Sequence, residues 1–102
     1  MKIEIKRSGG IAGLNSIFLI DQTTATAAEV NEIERLINKS RFFELPTEIP
    51  NRKHGADYYT YDISIEVSGK KHTIRTTDFS IPQSLKSIVN RTIEISDRAS
   101  ID

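Results

Sequence analysis

A chain of 102 residues and 11.5 kDa has room for one domain and one modest core. Fourteen basic residues balance fourteen acidic ones and cysteine is absent. No net field draws the chain to nucleic acid or an anionic membrane, and disulfides, thiolate zinc sites and cysteine nucleophiles are excluded. The opening Met1-Lys2-Ile3-Glu4-Ile5-Lys6 alternates in charge, unlike a signal peptide, and no apolar run nears the ~20 residues that span a bilayer. A single soluble, cytoplasmic domain over residues 1–96 is expected, with a frayed tail over 97–102.

From Lys2 to Arg7, Ile3 and Ile5 alternate with charged neighbours, which predicts a half-buried strand. Gly9, Gly10 and Gly13, around Ile11 and Ala12, predict a loop with backbone free to take positive φ. A second strand is expected over Leu14 to Asp21, with Leu14, Phe18 and Ile20 inward and Ile17 and Leu19 outward. Thr26-Ala27-Ala28-Glu29 has the pattern of a capping box, and Val30, Ile33, Leu36 and Ile37 follow at helical spacing to about Ser40. Phe42 to Pro46 should fasten the helix exit to the core. Thr47 to Asp57, polar with Pro50 and Gly55, reads as a long loop of the kind often used for function.

Tyr59, Tyr61, Ile63, Ile65 and Val67 alternate with Tyr58, Thr60, Asp62, Ser64 and Glu66, which predicts a strand with the first set buried. Ser68-Gly69-Lys70 should turn into a fourth strand with His72, Ile74 and Thr76 inward. Ser80-Ile81-Pro82-Gln83 has the pattern of a second capping box. The last helix would bury Leu85, Ile88, Val89, Thr92 and Ile93. The sum is an α+β fold of order ββα–ββα: a four-stranded antiparallel sheet with both helices packed on one face. The order of strands across the sheet is not legible.

Candidate chemistry is sparse. His54 and His72 lie on different elements and HExxH is absent, so no metal site and no cofactor are expected. His72 reads as a hydrogen-bonded histidine at the core rim. No serine sits in a GxSxG elbow, and paired carboxylates such as Glu44 and Asp57 are candidates only by default. The glycine loop is followed by a strand and not by a helix N-terminus, so it is no phosphate cradle. The tyrosines around Thr60 are a possible stacking platform, but Tyr59 and Tyr61 point inward by phase. The clusters Arg52-Lys53-His54 and Lys70-Lys71-His72 are short. An enzyme and a nucleic-acid binder are both disfavoured. A small binding module with two suspicious loops remains.

Several stretches then carry a resemblance. They are Gly9-Gly10-Ile11-Ala12-Gly13-Leu14, Phe42-Phe43-Glu44-Leu45-Pro46, Gly55-Ala56-Asp57-Tyr58-Tyr59-Thr60-Tyr61, His72-Thr73-Ile74-Arg75 and Ser80-Ile81-Pro82. In order and spacing, from residue 2 to about 95, they resemble the emfourin family of small bacterial inhibitors of thermolysin-like, protealysin-type zinc metallopeptidases. Ile11 departs from a commonly aromatic residue, and outward Ile17 and Leu19 stand where relatives often carry polar ones. The resemblance implies a non-catalytic inhibitor, tight and one-to-one, whose partner is such a peptidase. Loop chemistry, and no family contact set, suggests Gly9, Gly10, Ile11, Ala12, Gly13, Ile49, Pro50, His54 and Asp57 as the contact residues. No nucleic acid, membrane or cofactor is expected to bind, and the chain should be a monomer, with a dimer through outward Ile17 and Leu19 as the other option. The alternative is a non-catalytic adaptor that self-associates through Ile17 and Leu19.

Overall fold

The computed structural model describes residues 1–10, 13, 15–50 and 58–99. Four strands form one antiparallel sheet: β1 (Lys2–Gly9), β2 (Ser16–Asp21), β3 (Tyr59–Val67) and β4 (Lys70–Thr77). Two helices, α1 (Ala27–Ser40) and α2 (Gln83–Ala99), follow the two hairpins, and a 3-10 turn covers Phe42–Glu44. The α+β fold is the one expected. The strand order is β2-β1-β3-β4, so the two hairpins meet through β1 and β3.

Register follows the apolar phase. Ile3 pairs with Ile20 and Ile65, and Ile5 with Phe18 and Ile63. Ile63 in turn faces Ile74. These residues and the inner stripes of both helices make one core, with Ile33, Ile37, Phe42, Leu85, Ile88, Val89 and Ile95 all buried. The β-branched side chains that dominate it suit a pleated surface covered on one side. On α2 the fully buried residue of the last turns is Ile95, with Ile93 only half-buried. The opposite face of the sheet is polar and laddered. Arg75 donates to both carboxylate oxygens of Asp62 at 2.8 and 3.2 Å, and Ser64 meets Thr73 at 2.9 Å.

Local signals account for the helix ends. Thr26 Oγ1 accepts from the Glu29 amide at 3.1 Å, and the Thr26 amide donates to Glu29 Oε1 at 2.9 Å, a complete capping box. Arg41 closes α1 in the left-handed region, φ 53°. α2 begins later than Ser80-Ile81-Pro82-Gln83 suggested. The Ser80 and Ile81 amides both turn back to the Thr77 carbonyl, and the first helical bond runs from the Lys86 amide to the Pro82 carbonyl. At its other end α2 passes Asp97, where fraying was expected, and continues to Ala99. Arg98 holds that turn in place, bonded through both terminal nitrogens to Glu29 at 2.6 and 2.8 Å.

The two sheet edges differ. Along β4, the Ile49 amide donates to the Arg75 carbonyl and the Arg75 amide to the Thr47 carbonyl, both at 2.8 Å. Thr47–Ile49, expected to be loop, is therefore a short parallel cover on that edge, and Ile49 packs half-buried against the core. Along β2, Ile17 and Leu19 face outward as expected, 65% and 42% exposed. There the Leu19 amide is met by Ser96 Oγ at 3.4 Å, which blunts the open edge. No helix among the described residues is long and apolar enough to cross a membrane.

One expectation about burial fails. Ile63 and Ile65 are fully buried, but Tyr61 and Val67 are half-buried and Tyr59 is 37% exposed. The phase is right; the cover is not uniform. Both ends of α1 are tied near the Asp21 and Lys70 ends of β2 and β4. Arg98 reaches Glu29 and the Thr24 carbonyl there, and the Leu45 carbonyl meets His72.

Candidate functional site

The open end of the sheet collects four chain passages: the end of β1 at Gly9, the start of β2 at Ser16, the start of β3 at Tyr59 and the end of β4 at Thr77. Connections that lie far apart in sequence therefore emerge side by side. They are the glycine loop after Gly9, the segment before Tyr58 and the turn Asp78–Ser80 that leads to α2.

The base of the glycine loop is tightly built. Gly9 and Gly10 have φ of +96° and +76°, a region that side-chain-bearing residues rarely enter. Space is short as well: a Cβ on Gly9 would fall 2.7 Å from the Tyr58 carbonyl oxygen, and one on Gly10 2.8 Å from Tyr59 Cε1. The Gly10 amide donates to the Tyr58 carbonyl at 3.1 Å, which stitches the loop to the start of β3. Beyond it, the Gly13 amide donates back to the Gly10 carbonyl at 3.2 Å, and Gly13 is exposed with nothing near its Cβ position.

Around this base lies an aromatic and cationic cluster. The Arg7 guanidinium carbon lies 5.0 Å from the Phe18 ring centroid and 4.9 Å from that of Tyr59, within cation–π range of both. Tyr61 adjoins Tyr59 at 6.5 Å, and burial pushes its phenol above the ordinary value while nearby Arg7 opposes the shift. The Asp78 amide donates to the Tyr59 carbonyl at 3.1 Å. That bond sets the next turn so that Phe79, 47% exposed, meets Tyr58 edge-on at 6.2 Å. Two buried polar atoms beside the cluster, Thr76 Oγ1 and Asp78 Oδ1, have no hydrogen-bond partner among the described residues.

Of the residues singled out from sequence, Gly9, Gly10 and Gly13 all lie at this end. Pro50 is exposed just past the Thr47–Ile49 cover of β4, and Ile49 is half-buried beneath it. Ile11, Ala12, His54 and Asp57 lie outside the described residues. His72 is the rim histidine expected. Its Nε2 lies 2.7 Å from the Leu45 carbonyl, so that nitrogen carries the proton and donates, and the ring meets Phe42 edge-on. Sequence reasoning did not single out Arg7 or Phe79 at this end of the sheet, and it placed Tyr59 in the core. Two signals were available: Arg7 falls in the inward phase of Ile3 and Ile5, and Phe79 is a large apolar residue inside a polar turn.

The described part of this end thus brings together exposed aromatic rings, glycines at positive φ and an arginine held between two rings. Among the described residues, no three His, Asp or Glu side chains gather as a metal site would require. No curated protein and no solved structure matches the chain significantly. The sequence model of the Emfourin family does match, over residues 5–93, a span that runs from within β1 to the later turns of α2 and takes in the whole open end of the sheet. The chain therefore belongs to the Emfourin family, and that membership points to metallopeptidase inhibition as its general role.

Proposed function

We propose that this chain inhibits thermolysin-like zinc metallopeptidases of the protealysin type, as a one-to-one, non-catalytic blocker of the active-site cleft. Family membership is the observation that carries the reading. The open end of the sheet supports it, because the glycine loop is anchored there on both sides by paired strands. In this reading the contact comprises Gly9, Gly10, Ile11, Ala12 and Gly13, with Ile49, Pro50, His54 and Asp57 from the segment before β3. Ile11 would enter the apolar pocket beside the peptidase zinc, which in such enzymes takes the bulky side chain just after the cleaved bond. Inhibition then needs no metal on the inhibitor, since occlusion requires only a complementary surface of roughly 800 Å² per partner. The partner would be a peptidase encoded by the same bacterium and met in its cytoplasm.

Titration of a thermolysin-like peptidase with the purified protein tests this. Activity should fall linearly to an equivalence point at one inhibitor per enzyme. Undiminished activity at a large molar excess, across several such peptidases, would refute it.

A further inference from the structure

Glycine loops are entropically expensive to hold in one shape, because glycine has more backbone freedom to lose than any other residue. A loop that must present itself to a partner therefore gains from a support that fixes its direction before binding. Here the described backbone bonds are few: Gly10 to Tyr58, and Gly13 to Gly10. Among the described residues a side chain adds further support. The Tyr59 ring lies so close under Gly10 that a Cβ there would meet Cε1, Cζ and the hydroxyl at 2.8, 3.1 and 3.3 Å. The ring in turn is held by the Arg7 guanidinium at 4.9 Å. Tyr59 is also 37% exposed and does not pack on the core cluster, so core packing does not account for it.

We propose that Tyr59 is a positioning residue for the glycine loop: braced by Arg7, its ring is the platform against which Gly10 rests, and it sets the direction in which the chain leaves the sheet at Gly10. The inference rests on the inhibitor reading above. It adds that the strength of inhibition depends on a ring outside the loop itself. The ring face and not the hydroxyl supplies the platform, so phenylalanine should serve equally well. Leucine and alanine should not.

The test pairs inhibition with amide hydrogen exchange in the free protein, for wild type, Tyr59→Phe, Tyr59→Leu and Tyr59→Ala. Tyr59→Phe should stay within about twofold of wild type in both measurements. Tyr59→Ala should weaken inhibition about tenfold, an entropic penalty of ordering the loop on binding. It should also speed exchange at Gly13 while the Ile63 and Ile65 amides exchange as before. Tyr59→Leu should follow Tyr59→Ala, and it preserves bulk should the alanine variant fold poorly. Weakened inhibition with unchanged Gly13 exchange would overturn the proposal and make Tyr59 a direct contact. Wild-type inhibition by Tyr59→Ala would overturn it too. A wild-type protein that inhibits no such peptidase would instead overturn the inhibitor reading, and is recognised by the flat titration of the parent chain.

Discussion

Arg98, in the last turn of α2, clamps Glu29, in the first turn of α1, with bonds of 2.6 and 2.8 Å across 69 residues of chain. Glu29 already closes the capping box with the Thr26 amide, so one carboxylate caps one helix and fastens the end of the other. Arg91 approaches the same carboxylate at 3.4 Å and also binds Glu32 and Glu94, each at 3.0 Å. Chiefly the Arg98 bond, then the Thr26 amide, hold the Glu29 carboxyl at about 2, against an ordinary 4.5. A carboxyl depressed in the folded state stabilises the fold above its unfolded pKa, and that contribution disappears as pH falls through the folded value. Wild-type stability should therefore decline between about pH 4.5 and 2 more steeply than that of Glu29→Gln. Urea midpoints measured at pH 7 and pH 3 check this; equal losses in both proteins would refute it.

The three loop glycines should tolerate alanine unequally. Gly9→Ala combines positive φ with a clash against backbone and should cost about 1–3 kcal/mol of stability. Gly10→Ala meets a side chain, the Tyr59 ring, and not backbone, so the loss of stability should be smaller than at Gly9. Gly13→Ala has open space and carries only the left-handed penalty of about 1–2 kcal/mol. Thermal unfolding of the three variants gives the ranking, and a Gly13→Ala loss exceeding that of Gly9→Ala would contradict it.

Ile63 and Ile49 should separate core from edge. Ile63→Ala removes a fully buried side chain and should cost about 2–5 kcal/mol. Ile49→Ala trims a half-buried residue that covers the β4 edge and should cost about 1–2 kcal/mol. Ile63→Ala should alter inhibition only through its folded fraction. Equal denaturation midpoints for the two variants would mean that Thr47–Ile49 is as much core as β3 is.

Ile11 gives the direct test of the proposed contact. Full burial of an isoleucine side chain is worth roughly 1.5–3 kcal/mol, so Ile11→Ala should raise the inhibition constant about 5–100-fold with thermal stability nearly unchanged. Ile11→Asp should do more, by carrying an unpaired charge into an apolar pocket. If both variants inhibit like wild type, the contact shifts to the segment from Ile49 to Asp57.

Much of this protein follows from local pattern. Period-two alternation in β1 and β3 sets their buried faces, because side chains on a pleated strand must alternate. Thr26 and Glu29 mark the start of α1 because a capping box is closed within four residues. Paired Gly9 and Gly10 announce a backbone that other residues could not follow. The rest depends on what meets across space. Which strands are neighbours is decided by burying Ile3 and Ile5 against Ile63 and Ile65, a choice among many apolar pairings that sequence spacing does not rank. The same holds for cover. Tyr59 has the phase of a core residue and is still 37% exposed, because alternation sets which face a residue points to and not how far the helices reach along it. Arg7 looks misplaced in an apolar phase until the fold sets it between Phe18 and Tyr59. Local interactions thus determined the elements, and long-range packing decided which strands meet and which inward-phase residues the helices cover.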